Sequence, residues 1–495
     1  MFSCSVTGVN WVDAKTNGLP WSVALPPPPA EGPVVEHVVT RSSAAAESAK
    51  VRAERPIRHL PPGSIVATVL LRARADGRVR GFLTVPLSRD FLSQNRAMAE
   101  IRPLVALRYD ASVAGAVGDH ICPPYDVISD ADRDRLYEQS PFNFVRLEYP
   151  RPDGDPYARA ASDLASWRQQ GVLRADAAAA VYVHDHEFLV AGTRVRRRGL
   201  HCALRLYAPE EGVVMPHELT FPKAKADRLA LLRATRANTS AVFGLFEDAR
   251  GDIGTTLDRA VAGGSAKPIA DATVGDDRHR VWAVGDRLAI GELRDAFAKI
   301  RIYIADGHHR YETALTYADE RGGSPDAPER FVLAYLCALD DRGLRIFPTH
   351  RIVRGGNGAI DHAIDRSFRR APIDAGAIAD TQPGIVVVRA GSFEELELRD
   401  DADLGPLRAA WRELPVAQAE ELLLREARDS GAEITYEHDE HKAIAAAERG
   451  ATAVLLRAVD PRTLQRIADA GERLPQKTTY FYPKVPAGLV VRALN

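Results

Sequence analysis

The sequence predicts an α/β or α+β protein built on mixed sheets. Two observations carry this. From Met98 onward, short apolar runs of strand period alternate with amphipathic segments of helical period. The breaks between them hold Pro, Gly, Ser and Asp, the residues that end strands and start helices. The bulk totals agree: 495 residues, 45% hydrophobic and 27% charged, suffice for two or three domains with cores of their own.

The expected order begins with residues 1–97, which hold "LPPPPAEGP", "RSSAAAESAK" and "RPIRHLPPGS". So Pro-, Ala- and Ser-rich a stretch buries too little apolar surface to offset its ordering entropy, so a disordered extension or a start codon called too early is expected. An N-terminal α/β subdomain, 98–212, follows. In it, "CPPYDVISDADRDRLYEQSPFNFVRLEY" reads as a Pro-Pro turn, a helix and a strand, with Ser129 and Asp132 at capping-box spacing. "PYARAASDLASWRQQGVL" is a helix ended by Gly171, and "AAVYVHDHEFLVAGTRVRRRGLHCALRLY" gives antiparallel strands turning near Gly192. The segment 213–355 adds a helix at "KADRLALLRATRAN", a strand at "AVFGLFED", a helix at "ELRDAFAKI" and strands at "RIYIADG" and "FVLAYLCALD". The segment 356–495 adds "GIVVVRAG" as a strand, then helix, strand and helix over "HKAIAAAERG", "ATAVLLRAV" and "PRTLQRIADAGERL".

A formal net charge of −2 gives no global excess for nucleic acid, so any polyanion site is local. The four cysteines, Cys4, Cys122, Cys202 and Cys337, form no CxxC, which predicts a reducing, cytoplasmic setting and no structural zinc. Apolar runs fall short of the roughly 20 residues of a membrane span, and no signal-peptide pattern opens the chain. A small-molecule substrate is therefore the expected partner, without nucleic acid or membrane, and self-association is left open.

Four groups of residues point to chemistry. In "RIYIADGHHRYETAL", Ile302 and Ile304 share one strand face, and Tyr311, Ala314, Leu315 and Ala318 share one helix face. Asp306, Gly307, His308, His309 and Arg310 fall at the junction. A helix N-terminus offers unpaired N–H groups and partial positive charge, Gly307 allows close approach, and Arg310 can grip a phosphate with two bonds. The plainer reading makes Asp306 an N-cap. In "VVMPHELTFPKAKADRLALLRATRAN", His217 and Glu218 precede a basic run of Lys223, Lys225, Arg228, Arg233 and Arg236, either a phosphate site or a solvated helix face. "ICPPYDVIS" sets Tyr125 and Asp126 on a rigid turn. "LPQKTTYFYPKVPAGL" puts Lys477, Thr478, Thr479 and Lys484 on a Pro-punctuated loop suited to phosphate. "FPTHR", with His350 and Arg351, is expected to end a strand. In "HDHEF", His184 and His186 share a strand face and could form half a metal site; lacking a third ligand nearby, they read as surface residues, and the sequence assigns no metal ligands.

Taken in order, "PPYDVIS", "SPFNFVRLEY", "MPHELT", "DRLALLRATRAN", "FGLFED", "YIADGHHRYETAL", "FPTHRIV" and "KTTYFYPKVPAGLV" resemble the domain of unknown function 1015 family from Met98 to Asn495. The motif "DGHHR" is similar to the signature of archaeal free-serine kinases of the ParB and sulfiredoxin-like superfamily. The resemblance implies a nucleotide-binding core of that type in 213–355. It implies Glu218 as catalytic base, with Asp306 and His309 also catalytic. Gly307, His308 and Arg310 would hold phosphates, with Lys223, Arg228, Lys477 and Thr478 adding charge and hydroxyls. The implied reaction moves a phosphoryl group from ATP or ADP, with Mg2+, to a small hydroxylated metabolite, foremost free L-serine. The rival readings are a metal-dependent hydrolase using His217, Glu218, Asp306, His308, His309 and His350, and a nucleotide sensor without turnover.

Overall fold

The computed structural model describes residues 65–72, 79–87, 99–218, 220, 222–262, 267–405 and 407–494. The chain divides into two units, 1–96 and 97–495. In the first, Ile65–Arg72 pairs antiparallel with Val79–Leu87. That ladder lies in the stretch whose composition predicts no structure, because its apolar alternation is diluted by Pro, Ala and Ser around it. The rest of 1–98 lies outside the described residues.

The second unit is built on a nine-stranded sheet. Its order runs Ala270–Val274, Asp277–Val284, Val181–Val190, Thr193–Arg205, Phe331–Ala338, Val242–Phe246, Ile302–Asp306 and Val214–Pro216, with Ile101–Arg102 beside Thr193–Arg205. Val242–Phe246 runs parallel to Phe331–Ala338, and Ile302–Asp306 runs parallel to Val214–Pro216. The other junctions are antiparallel. The fold is thus mixed α/β. The boundary expected at 212 falls inside this sheet, since Thr193–Arg205 pairs with Phe331–Ala338.

Period-2 alternation sorts the strands' side chains onto two cores. Val332, Ala334 and Leu336 face one, Leu333, Tyr335 and Cys337 the other. Ile302 and Ile304 join the first, Tyr303 and Ala305 the second. The first core is covered by the helices Asp252–Ala262, Arg287–Phe297 and His308–Arg321. Phe297 is wholly buried, its ring 4.9 Å from that of Phe246. Truncating such a residue to Ala costs about 3–5 kcal/mol.

A six-stranded antiparallel sheet orders Phe368–Pro372, Ser392–Leu398, Ile385–Arg389, Thr452–Leu456, His350–Arg354 and Glu433–Glu437. A short ladder pairs Arg345–Pro348 with Thr479–Tyr482. A four-stranded sheet joins Leu173–Ala175, Ala106–Tyr109, Val491–Ala493 and Ala237–Asn238.

Two expectations are corrected here. "NFVRLEY" is not a strand: Val145–Glu148 is a helical turn. Asn143 starts it by accepting from the Val145 N–H, and the buried Glu148 carboxylate takes bonds from Thr239 and Ser240. A short apolar run cannot be assigned by period alone. His350 opens a strand and does not end one. Its Nδ1 accepts from the Leu456 N–H, and Arg351 is fully buried against Glu420. The capping box at Ser129 and Asp132 forms as expected.

Candidate functional site

The parallel pair of strands places the site. Ile304 lies opposite Pro216, so His217–Glu218 and Ala305–Asp306 leave the sheet side by side. Ligands of α/β sheets gather outside the carboxyl ends of strands. Here a cleft of about 620 Å³ is lined from this edge by Glu218 and Asp306 to Arg310, and across it by Asp126, Lys477, Thr479, Tyr480, Lys484, Tyr436 and His438.

Gly307 turns the strand into the helix His308–Arg321 with φ +85°. A side chain there would be strained, and its Cβ would sit 2.9 Å from the Arg310 guanidinium. As the N-cap, Gly307 offers no side-chain bond to the first turn. The first intrahelical bond goes from the Tyr311 N–H to the Gly307 carbonyl, 3.0 Å. The positive end of the helix dipole opens beside the cleft.

Asp306 is held between two cations. Its Oδ2 accepts from Arg310 Nη2 at 2.6 Å, and Lys484 donates to Oδ1. Burial alone would raise this carboxyl, but the Lys484 ammonium and then the Arg310 guanidinium hold it well below the usual carboxylate range. At neutral pH it is a counter-charge and a poor base. Arg310 is not a free two-pronged grip either, since its other terminal nitrogen donates to the Ala241 carbonyl. Its Nε is buried without a partner among the described residues.

Glu218 differs. Its Oε1 accepts from the Lys477 N–H at 2.9 Å. Burial pushes its carboxyl up, only partly opposed by that bond and by Lys477 and Lys484. A carboxyl raised this way has the basicity a proton acceptor needs. The neighbouring histidines are locked and neutral. His217 Nδ1 donates to the Ile304 carbonyl at 2.5 Å, so Nε2 accepts from Thr479 Oγ1 at 3.3 Å. The His217 N–H donates to His308 Nε2 at 3.3 Å. Burial lowers His217 to about 4 and His308 well below its ordinary value. His309 lines the cleft half-buried, and its burial too lowers the ring's affinity for protons, against the pull of Asp126 and Glu312. Among the described residues, no set of three His, Cys, Asp or Glu at this cleft brings its ligand atoms within 4.8 Å of one another. The ligand set of the hydrolase reading therefore does not converge.

Of the residues expected from sequence, Tyr125, Asp126, Glu218, Asp306, Gly307, His308, His309, Arg310, Lys477, Thr479 and Lys484 line the cleft. Lys223, Arg228 and Thr478 do not. Lys223 is exposed on its helix. Arg228 is buried, donating to the Glu148 carbonyl at 2.7 Å and lying 4.0 Å over the Tyr125 ring. Thr478 is buried and donates to the Pro475 carbonyl, so its neighbour Thr479 reaches the cleft instead. The sequence reading left out Tyr436 and His438, which arrive from the six-stranded sheet, and Tyr480, stacked on His438 with ring centres 4.2 Å apart. The alternating aromatics of "YFY" were the available signal for Tyr480.

His184 and His186 are not surface residues. Both are buried, in a row with His201 and His279. The third ligand missing from the sequence comes from a strand far along the chain: His186, Asp277 and His279 bring ligand atoms within 4.8 Å of one another.

A mixed α/β unit with a strand-turn-helix edge closed by a C-terminal loop is the class that fold and site define. The chain belongs to the family described as "Protein of unknown function (DUF1015)", matched over residues 101–460. No curated protein matches it. Among solved structures it is similar to a conserved hypothetical protein from Pyrococcus furiosus, at 11% identity and TM-score 0.32, covering 60% of this chain and 95% of that one. A free serine kinase in complex with AMP is similar at 11% identity and TM-score 0.31, covering 57% of this chain and 86% of that one. SbnI with a C-terminal truncation, from Staphylococcus aureus, is similar at 11% identity and TM-score 0.34, covering 58% and 87%. Likeness at this level fixes neither the fold nor the activity of this chain. Among the described residues, no helix is long and apolar enough to cross a membrane.

Proposed function

We propose that the cleft binds a nucleotide, ATP or ADP, and transfers a phosphoryl group to a small hydroxylated metabolite, free L-serine being the first candidate. One observation carries the reading. The helix N-terminus after Gly307 and the raised carboxyl of Glu218 face the same cleft from adjacent parallel strands. Phosphoryl transfer needs positioned positive charge and a group to receive the hydroxyl proton. The first turn and Lys477 supply the charge, and Glu218 the acceptor. Asp306, already neutralised, fixes Arg310 and Lys484 in place and has no proton to exchange. Its expected catalytic role becomes positioning. Asp126, exposed on the cleft wall, is a carboxylate suited to a hydrated Mg2+. Such an ion neutralises phosphate charge when bound.

Phosphorus NMR of the full chain with nucleoside di- and triphosphates and free amino acids tests this. A new phosphomonoester signal that requires both nucleotide and a hydroxylated acceptor is expected. Nucleotide binding without any turnover would favour the sensor. No nucleotide binding at all would remove both readings.

A further inference from the structure

We infer that His186, His279 and Asp277 form a binding site for one divalent first-row transition ion of the zinc type, separate from the nucleotide cleft. The backbone builds it. His186 lies directly opposite His279 in the antiparallel ladder between Val181–Val190 and Asp277–Val284. Asp277 precedes His279 by two residues, so it points to the same sheet face. Directly opposed residues have Cβ atoms about 4.5–5.5 Å apart, close enough for two imidazoles to share an ion.

The ligand atoms are already gathered. His186 Nε2 and Asp277 Oδ2 stand 2.9 Å apart, and all three groups have atoms within 4.8 Å of one another. Two bonds of roughly 2.1 Å at a tetrahedral angle put their donor atoms about 3.4 Å apart, so a small opening of this pair admits an ion. Two imidazole nitrogens with one carboxylate select zinc, iron, cobalt or nickel over magnesium or calcium, which prefer oxygen. Both imidazoles are buried and Asp277 is half-exposed, which leaves an entry path and open positions on the solvent side.

The surroundings supply an outer shell. His279 Nδ1 meets His184 Nε2 at 3.1 Å, and His184 Nδ1 meets His201 Nε2 at 3.2 Å. With an ion on His279 Nε2, its Nδ1–H donates to His184, and His184 donates to His201. His279 and His184 are then each fixed in one tautomer by a neighbour, as ligating histidines require. The far end of this row, His201 Nδ1, is buried without a partner among the described residues. At His186, Arg197 Nη2 lies 3.3 Å from Nδ1 and can only donate, so without metal the ring proton sits on Nε2 and is shared with Asp277. The ion takes that proton's place. For the ring to stay neutral its proton moves to Nδ1, and Arg197 Nη2, a donor only, gives up its contact there while Nη1 keeps its bond to the Tyr482 carbonyl.

The full chain, stripped with a chelator, is titrated with Zn2+ by calorimetry and with Co2+ by visible absorption. One ion per chain is expected, with Co2+ ligand-field bands and a higher melting temperature in Zn2+. Asp277→Asn should keep the metal-free melting temperature and bind at least roughly 100-fold more weakly, beyond the loss typical of outer-shell changes. His184→Gln, which touches His279 and not the ion, should weaken binding roughly 10- to 100-fold. Wild-type protein that takes up neither ion overturns the inference. Asp277→Asn binding as tightly as wild type also overturns it, because the ion would then sit on other histidines. Stoichiometry and spectrum are read on wild type alone, so a variant that fails to fold does not remove the test.

Discussion

The cleft at Gly307 and the imidazole row at His184 use the same residue types in opposite ways. In the cleft, charge is kept: Asp306 stays ionised because Lys484 and Arg310 flank it. In the row, charge is excluded: burial holds His184, His186 and His279 well below the ordinary imidazole value and lowers His201 to about 3. The first environment suits an anion delivered to fixed cations. The second suits a cation delivered to neutral lone pairs. Counting histidines therefore says little about either; what decides is whether a counter-charge is built in beside them.

The sharpest way to break this comparison is Glu218→Gln. Losing a positioned proton acceptor costs roughly 10²- to 10⁴-fold in turnover, while metal uptake at the row stays unchanged. Turnover at wild-type level would pass the base role to another cleft acid.

Asp306→Asn tests whether the cleft's charges depend on each other. Removing one member of a buried ion pair leaves uncompensated charge and costs roughly 3–5 kcal/mol. Denaturant unfolding at pH 7 should show that loss. The sign with pH follows: a depressed folded-state value stabilises above the unfolded value of about 3.9 and loses that contribution as pH falls below it. Wild type and Asp306→Asn should therefore converge in strong acid. A difference that stays constant down to pH 2 would contradict the counter-charge role.

Gly307→Ala probes geometry without charge. The φ of +85° and the contact with Arg310 make it cost roughly 1–3 kcal/mol. Nucleotide affinity measured by calorimetry should fall with it. Unchanged affinity would move the phosphate site away from this turn.

The row answers pH in the opposite range. A buried neutral histidine binds its proton only on unfolding, so stability falls as pH drops from about 6.5 toward each folded-state value. His201→Gln should flatten the stability-versus-pH slope between pH 6 and 4 by up to about 1.4 kcal/mol per pH unit. An unchanged slope would mean that His201 is protonated in the folded protein.

How much of this could be read beforehand depends on sequence separation. The strand Ile302–Asp306, the helix after Gly307 and the strand over Val181–Val190 were legible because period and punctuation are local signals. The cleft residues around Asp126, Glu218, Gly307 and Lys477 were legible because each group sits in a short motif at a turn or strand end. Lys223 and Arg228 were misplaced because charge composition does not tell which helix face a cation takes; Arg228 turns inward onto the Glu148 carbonyl. Thr478 failed by one residue, since alternate residues of an extended segment face opposite sides. The metal-type group was invisible because its second half, Asp277 and His279, lies 91 to 95 residues from its partners in the row.

The segment that closes the cleft also sets when it can exist. Lys477 reaches Glu218 across 259 residues, Thr479 meets His217 across 262, and Lys484 neutralises Asp306 across 178. During synthesis, then, Glu218 and Asp306 leave the ribosome long before the loop that completes them. Contacts this distant along the chain pay their loop-closure entropy late and form slowly. A chain that ends before Lys484 lacks the second cation beside Asp306. Competence is thereby tied to the finished polypeptide, and fragments released by stalled translation or proteolysis before Lys477 should have no working cleft.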